Sequence, residues 1–324
     1  TPDGCTGDPF TVSVTVNPLG QVDNPGDQEF CNNDNISINF TTDNTGGDTT
    51  YSWTNTNSAI GLSNSGSGNI NVTATNTTND AITSTVTVTP SFEGCEGTPQ
   101  TFTITVNPEP SIDNIEQEIC TGSGISITPT DGTIPVGTTY SWDAPTSSPS
   151  GVITGGNSGT DETTITESEL LNSTNSPAVL TYTVTPTTPD GCTGDPFTVS
   201  VTVNPLGQVD NPGDQEFCNN DNIIINFTTD NTGGSTTFEW TNTNSAIGLS
   251  NSGSGNINVT ATNTTNDPIT STVTVTPSFE GCEGDSQTFT ITVNPSSQVD
   301  EVDSQILCNA DETTAISFST ENTG

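Results

Sequence analysis

The chain has 324 residues, 39 of them Asp or Glu, and no Lys, Arg or His, giving a formal net charge of −39. That excludes phosphate and nucleic-acid recognition, which draw on cationic side chains. It also excludes His relays, His-ligated metals, lysine Schiff bases and side-chain salt bridges. Hydrophobic residues supply only 27%, but charged residues supply only 12%, and the apolar ones alternate in short blocks. Thr-rich β-domains are therefore expected rather than disorder. No apolar run approaches ~18 residues, so no membrane span is expected in this stretch. The lack of Met, even at position 1, reads as a mature piece of a longer chain.

Residues 1–108 recur as 188–295 with few changes: Ser37/Ile224, Asp48/Ser235, Tyr51/Phe238, Ser52/Glu239, Ala81/Pro268, Thr98/Asp285 and Pro99/Ser286. Such copying marks a repeat array. TFTITVNP (101–108) and FTVSVTVNP (197–205) close similar modules, and Trp53, Trp142 and Trp240 occur once per module. The expected organisation is an end piece at 1–18, whole modules at 19–107, 108–205 and 206–294, and a starting piece at 295–324. Modules of about 90–98 residues suit a seven-stranded sandwich, so the expected fold is all-β, with tandem antiparallel β-sandwich modules in a linear array.

In chain order, Ile36, Ile38 and Phe40 face one way, with Ser37 and Asn39 opposite. Tyr51 and Trp53 form the next inward pair, followed by Ile70, Val72 and Ala74. Ile82, Val86 and Val88 then alternate with threonines, as do Phe102, Ile104 and Val106. One face of each sheet is packed and the other is wet. The Ser37/Ile224 exchange falls on the wet face and Tyr51/Phe238 on the inner one. Each Trp alternates with an inward aromatic (Tyr51, Tyr140, Phe238), so each is read as core rather than as a sugar platform.

DQEFC (27–31), YSWTNTNSAIGL (51–62), GSGNI (66–70), GCEG (94–97) and TFTITVNP (101–108) together resemble the PKD-like and Ig-like repeats of giant Bacteroidota cell-surface adhesins. The resemblance covers essentially the whole chain and implies type IX export and a role in gliding or adhesion. The second whole module departs from it: SWDAPTSSPSGVITGG (141–156) replaces the WTN–IGL string, so its middle loops are expected to differ. Asp48-Thr49-Thr50 resembles a Bacteroidota O-glycosylation sequence. N-x-S/T strings at Asn35, Asn39, Asn71 and Asn76 are expected by chance in so Asn- and Thr-rich a chain.

Each whole module has a cysteine in its first turn (Cys31, Cys120, Cys218) and one in its last turn (Cys95, Cys192, Cys282). Regular cysteines in an extracellular-type chain argue for disulfides, and the lack of CxxC and His argues against zinc. A linear array must enter each module at one end and leave at the other. First and last turns then sit at opposite ends, ~20–25 Å apart for a strand of 6–8 residues, whereas a disulfide needs Cα atoms within ~7 Å. The favoured pairing is therefore between modules, Cys31–Cys192 and Cys120–Cys282, with Cys5, Cys95, Cys218 and Cys308 paired outside this stretch. Two alternatives stay open: Cys31–Cys95, Cys120–Cys192 and Cys218–Cys282 within modules, if the first strand is short or switches sheet, or free thiols.

Repetition of acids from module to module suits architecture and not one active site, so no enzyme is expected. Ca²⁺ is the candidate cofactor, and Asp34, Asp190 and Asp195 at the junctions are its candidate ligands, beside the linker acids Asp23, Asp27, Asp210 and Asp214. The expected function is the structural repeat region of a long extracellular surface filament or adhesin stalk. The alternative is an array of glycan- or surface-binding modules with calcium-stiffened junctions, gripping through loops such as 55–68. Expected partners are further copies of the repeat, lateral neighbours and an unknown surface or glycan receptor.

Overall fold

The computed structural model describes residues 2–322. The first module contains β1 (Gln28–Cys31), β2 (Asn35–Ile38), β3 (Thr49–Asn55), β4 (Ser65–Ser67), β5 (Ile70–Thr73), β6 (Ile82–Phe92), β7 (Cys95–Glu96) and β8 (Gln100–Asn107). The larger layer runs β1-β8-β6-β3-β4, with β7 folded back on β6, and β2 and β5 form the second layer. This is a sandwich with more and shorter strands than the seven expected, because β4 and β7 are fragments that line its edges.

β1 pairs parallel with β8, from Gln28 opposite Ile104 to Cys31 opposite Asn107, whereas the other pairs are antiparallel. Parallel first and last strands carry the chain through the module in one direction. Cys31 therefore ends β1 beside Asn107, at the outgoing end, while Cys95 lies in the β6–β7 hairpin at the incoming end.

Alternation builds the core. Ile36, Ile38 and Phe40 are buried against Trp53, Val86, Val88, Phe102, Ile104 and Val106. Burial of each such side chain contributes ~1.5–3 kcal/mol. On the wet face, Thr83 and Thr105 sit opposite one another with hydroxyls 3.0 Å apart. Ile224 is 56% exposed, so the Ser37/Ile224 exchange does fall on that face. Tyr51 and Phe238 hold the same inner place, at ring-centroid distances of 5.4 and 5.5 Å from Phe40 and Phe227.

The third module repeats this plan, with Gln215–Cys218 parallel to Gln287–Asn294. In the second, Ile115–Cys120 runs parallel to Phe197–Asn204, but the region 141–156 differs, as expected. Thr146–Ser148 pairs with Ala178–Thr187, and Ile153–Thr154 joins Ser123–Ile127 and Ile165–Asn172 in the smaller layer. Glu167 is buried here. Its carboxylate accepts from the Asn157 backbone N–H (2.7 Å), the Asn157 side-chain amide (2.8 Å) and the Tyr182 hydroxyl (3.2 Å). Burial and the adjoining carboxylate push the Tyr182 phenol well above its ordinary pKa.

An asparagine is buried at the outgoing end of every module: Asn76, Asn172 and Asn263. Asn263 Nδ2 donates to the carbonyls of Asp267 (2.8 Å) and Val293 (2.7 Å), and its Oδ1 accepts from the N–H and hydroxyl of Thr265. The loop is thereby tied to the last strand. The same burial withdraws Asn76 from glycosylation in the folded chain. Asn263→Ala leaves carbonyl and N–H partners unsatisfied, so a loss of about 2–3 kcal/mol is expected. Urea denaturation followed by fluorescence checks it, and an unchanged midpoint would show the network to be dispensable.

Residues 5–27 and 295–322 form no strands. Phe10, Val12, Val14 and Val16, which copy the buried Phe197, Val199, Val201 and Val203, are exposed because no partner strands stand beside them. Yet one local turn is already formed: the Cys308 N–H donates to Asp311, as that of Cys31 does to Asp34 and that of Cys218 to Asp221.

Candidate functional site

The chemistry that distinguishes this chain lies at the junctions between modules. Cys31, at the outgoing end of the first module, is bonded to Cys192 in the last turn of the second, with S–S 2.01 Å and Cα–Cα 5.6 Å. Cys120 is bonded to Cys282 in the same way, with S–S 2.00 Å and Cα–Cα 5.5 Å. β1 is short and the chain does switch sheets after it, the condition that left a within-module bond open; even so, Cys31 meets the next module.

Polar contacts surround the staples. Asn33 Nδ2 donates to Glu109 at 2.8 Å, and the Ile134 N–H donates to Asn79 Oδ1 at 2.8 Å. At the next junction the Thr232 N–H donates to the Asn175 carbonyl at 2.9 Å, and Gln208 Nε2 to Asn175 Oδ1 at 3.0 Å. A groove of about 580 Å³ opens there, lined by Asn175, Leu206, Gln208, Asp210, Asp230 and Asp285 among others.

The GCEG motif has a steric reason. The linker folds onto the last turn, where the Gly20 N–H donates to the Cys95 carbonyl at 3.0 Å and the Gly207 N–H to that of Cys282 at 2.9 Å. A Cβ on Gly97 or Gly284 would collide with the carbonyl of Gly20 or Gly207. The motif's glycine thus lets the linker lie against the turn that holds the cysteine.

The expected calcium ligands are placed differently. Asp34 accepts the Cys31 N–H at 2.8 Å and closes its turn, while Asp190 and Asp195 are exposed. Among the described residues no group of three or more Cys, Asp or Glu side chains is assembled that could hold a metal ion. Asp34 is thus engaged in closing the turn that holds Cys31.

The linker acids are anchors. Asp23 accepts the Thr41 hydroxyl and Asp210 that of Thr228, both at 2.6 Å. Asp27 accepts the Thr103 N–H at 2.7 Å and Asp214 that of Thr290 at 2.8 Å. These backbone bonds hold both carboxyls below their ordinary 3.8. A carboxyl with a lowered folded-state pKa adds stability above its unfolded value, and that stability is lost as pH falls through the folded value. The double variant Asp27→Asn/Asp214→Asn is expected to lose less stability between about pH 4 and pH 2 than the native chain. Urea midpoints across that range check it; parallel curves would assign these acids no part.

The tryptophans are core. Trp53, Trp142 and Trp240 are each 7% exposed, and each indole N–H donates to a loop carbonyl, of Gly68, Asn157 and Gly255 respectively. Glycines 66, 159 and 253 lie so close against the rings that a Cβ would strike them. Loop 55–68 is pinned as well: Ile60 and Leu62 are buried, and the Asn55 side chain donates to the Leu62 carbonyl at 2.8 Å. Thr49, in the candidate O-glycosylation string, has a buried hydroxyl.

Three sandwich modules, each entered at one end and left at the other, with the first stapled to the second and the second to the third, define a tandem-repeat array. Residues 28–110, 117–207 and 215–297 each match the PKD-like domain family. The chain belongs to that family. No curated protein matches it. Among solved structures it is similar to Drosophila N-cadherin EC1-4 (14% identity, 86% of this chain and 76% of that chain, TM-score 0.32). It is likewise similar to Sidekick-1 immunoglobulin domains 1-4 (12%, 85% and 76%, TM-score 0.30). A third is the Bacteroides ovatus glucan-utilization protein SGBP-B in complex with a mixed-linkage heptasaccharide (16%, 91% and 76%, TM-score 0.22). Among the described residues no helix is long and apolar enough to cross a membrane.

Proposed function

We propose that this chain is the structural repeat region of a long extracellular filament or adhesin stalk, of the type borne by Bacteroidota cell surfaces and exported by the type IX route, and that it acts without catalysis. The observation that carries this reading is the pair of disulfides joining each module to the next. Such bonds persist in oxidising surroundings, and here they fix module against module. The motifs shared with surface adhesins supply the Bacteroidota assignment.

Cys95 and Cys218 occupy the turns whose counterparts are bonded in the structure, so they extend the same ladder to flanking modules; Cys5 and Cys308 do so one module further out. A net charge of −39 with no cation discourages lateral clumping at low salt and is screened at high salt, so side-by-side association rises with ionic strength. Light scattering that stays flat from low to seawater-like salt would remove lateral association from the account. Electron microscopy of the oxidised three-module chain tests the stalk itself. Rods of ~120–150 Å are expected at ~40 Å per module, and a compact, folded-back particle would contradict it.

A further inference from the structure

We infer that the crossed disulfides turn the array into a braced cable, in which pulling on the ends cannot draw out most of the polypeptide even when modules unfold. The bonds overlap in sequence: Cys31–Cys192 spans 161 residues and Cys120–Cys282 spans 162, and each closes over one end of the other. Covalently, Cys31 and Cys192 are one node, and Cys120 and Cys282 are a second. Three stretches of backbone connect these two nodes in parallel: 31–120, 120–192 and 192–282.

The shortest stretch sets the limit. From Cys120 to Cys192 there are about 70 residues, so the nodes can separate by at most ~250 Å. Without the bonds, about 250 residues lie between Cys31 and Cys282, or ~900 Å of extended chain. The force path also explains why the cysteines sit where they do. Tension arriving along β1 passes at Cys31 straight into Cys192, so the rest of the first module hangs in a longer parallel loop. At the far end tension leaves through Cys282 and Gln287–Asn294, and the body of the third module is likewise a side loop. Only the second module's own stretch is drawn taut, and it sets the ceiling.

The brace is also redundant. If one bond is lost, about 90 residues still connect Cys31 to Cys282 through the other. If both are lost, the whole length is released. In an array where Cys95 and Cys218 are bonded in the same manner, about 25 residues span two modules, ~90 Å of backbone against ~80 Å for two folded modules. Such a cable is nearly inextensible while its disulfides hold.

The use of this brace in bearing tension rests on the stalk reading, whereas the connectivity does not, and the two fail separately. A short covalent length with compact particles would remove the stalk and keep the brace; rods with a full-length extension would do the reverse. The test is single-molecule stretching of the whole chain, held by terminal tags, with accessible thiols capped by iodoacetamide to stop exchange. The oxidised chain should reach an end-to-end contour shorter than the reduced chain by about 180 residues, ~640 Å. Cys31→Ser and Cys120→Ser should each remain short by about 160 residues, and only the double variant should match the reduced chain. Equal contours in oxidised and reduced protein, or a single variant as long as the double, would overturn the proposal. The comparison of oxidised with reduced native chain stands even if a variant folds poorly.

Discussion

Reducing the two disulfides is expected to lower the thermal midpoint of the array by about 10 °C or more and to split a shared transition into separate ones. Closing loops of 161 and 162 residues removes unfolded-state entropy worth up to ~5 kcal/mol per bond. In a transition involving some 150–250 residues, each kcal/mol moves the midpoint by roughly 2–4 °C. The splitting is the more telling part. A repeat array is stabilised by terms within modules and terms between neighbours. A bond inside a module would strengthen the first kind and leave modules melting independently. The observed bonds strengthen the second, because Cys31 and Cys192 reach bonding distance only when two modules are folded and docked. Calorimetry with and without reductant distinguishes these cases; identical traces would mean that the staples add nothing to cohesion.

The second large effect is expected from Trp240→Ala, a loss of about 3–5 kcal/mol from the third module. Trp240 is 7% exposed, its Nε1–H is bonded to the Gly255 carbonyl at 3.0 Å, and Gly253 closes on the ring. Truncation leaves a cavity under strand Ser252–Ser254 and an orphaned carbonyl. With Trp240 gone the third module holds no Trp or Tyr, so calorimetry of the reduced chain should show its early transition, while Trp53 and Trp142 fluorescence should follow the other modules near their original midpoint. A tryptophan serving as an exposed sugar platform would behave differently: its removal would abolish binding while leaving every midpoint within about 1 °C. The same experiment thus separates a core residue from a glycan-binding one.

Much of the fold is legible in the sequence because β-alternation is a local signal. Ile36, Ile38 and Phe40, or Phe102, Ile104 and Val106, announce their face without knowledge of partners. The cysteine pairing is legible for a topological reason: first and last turns lie at opposite ends once the chain must pass through each module. What periodicity does not show is the means of that passage, the parallel pairing of β1 with β8, since a four-residue strand has no signature of its direction. Buried polar groups are hidden for a related reason. Glu167 gives no sign of burial, because its partners Asn157 and Tyr182 are brought to it by the fold. Asn76, Asn172 and Asn263 did leave a trace: N-T/S-T-N recurs at the same place in all three modules. At Asn76 it reads as a chance N-x-S/T string, and in all three modules it is the loop's tie to the last strand. The acids are half legible: their clustering in turns and linkers shows in the sequence, but the N–H groups and hydroxyls that engage Asp34, Asp23 and Asp27 are brought to them by the fold of their own module.

Zero basic residues therefore shape cohesion as well as solubility. Salt bridges are unavailable, and the module cores are joined by polar contacts and covalent staples. The most direct test of that account is a disulfide map of the unreduced protein. Trypsin has no Lys or Arg to cut after, so the digest must use a protease specific for acidic residues, with thiols capped beforehand. The account predicts the Cys31 peptide linked to the Cys192 peptide and Cys120 linked to Cys282. Linkage of Cys31 to Cys95, or of Cys120 to Cys192, would contradict it.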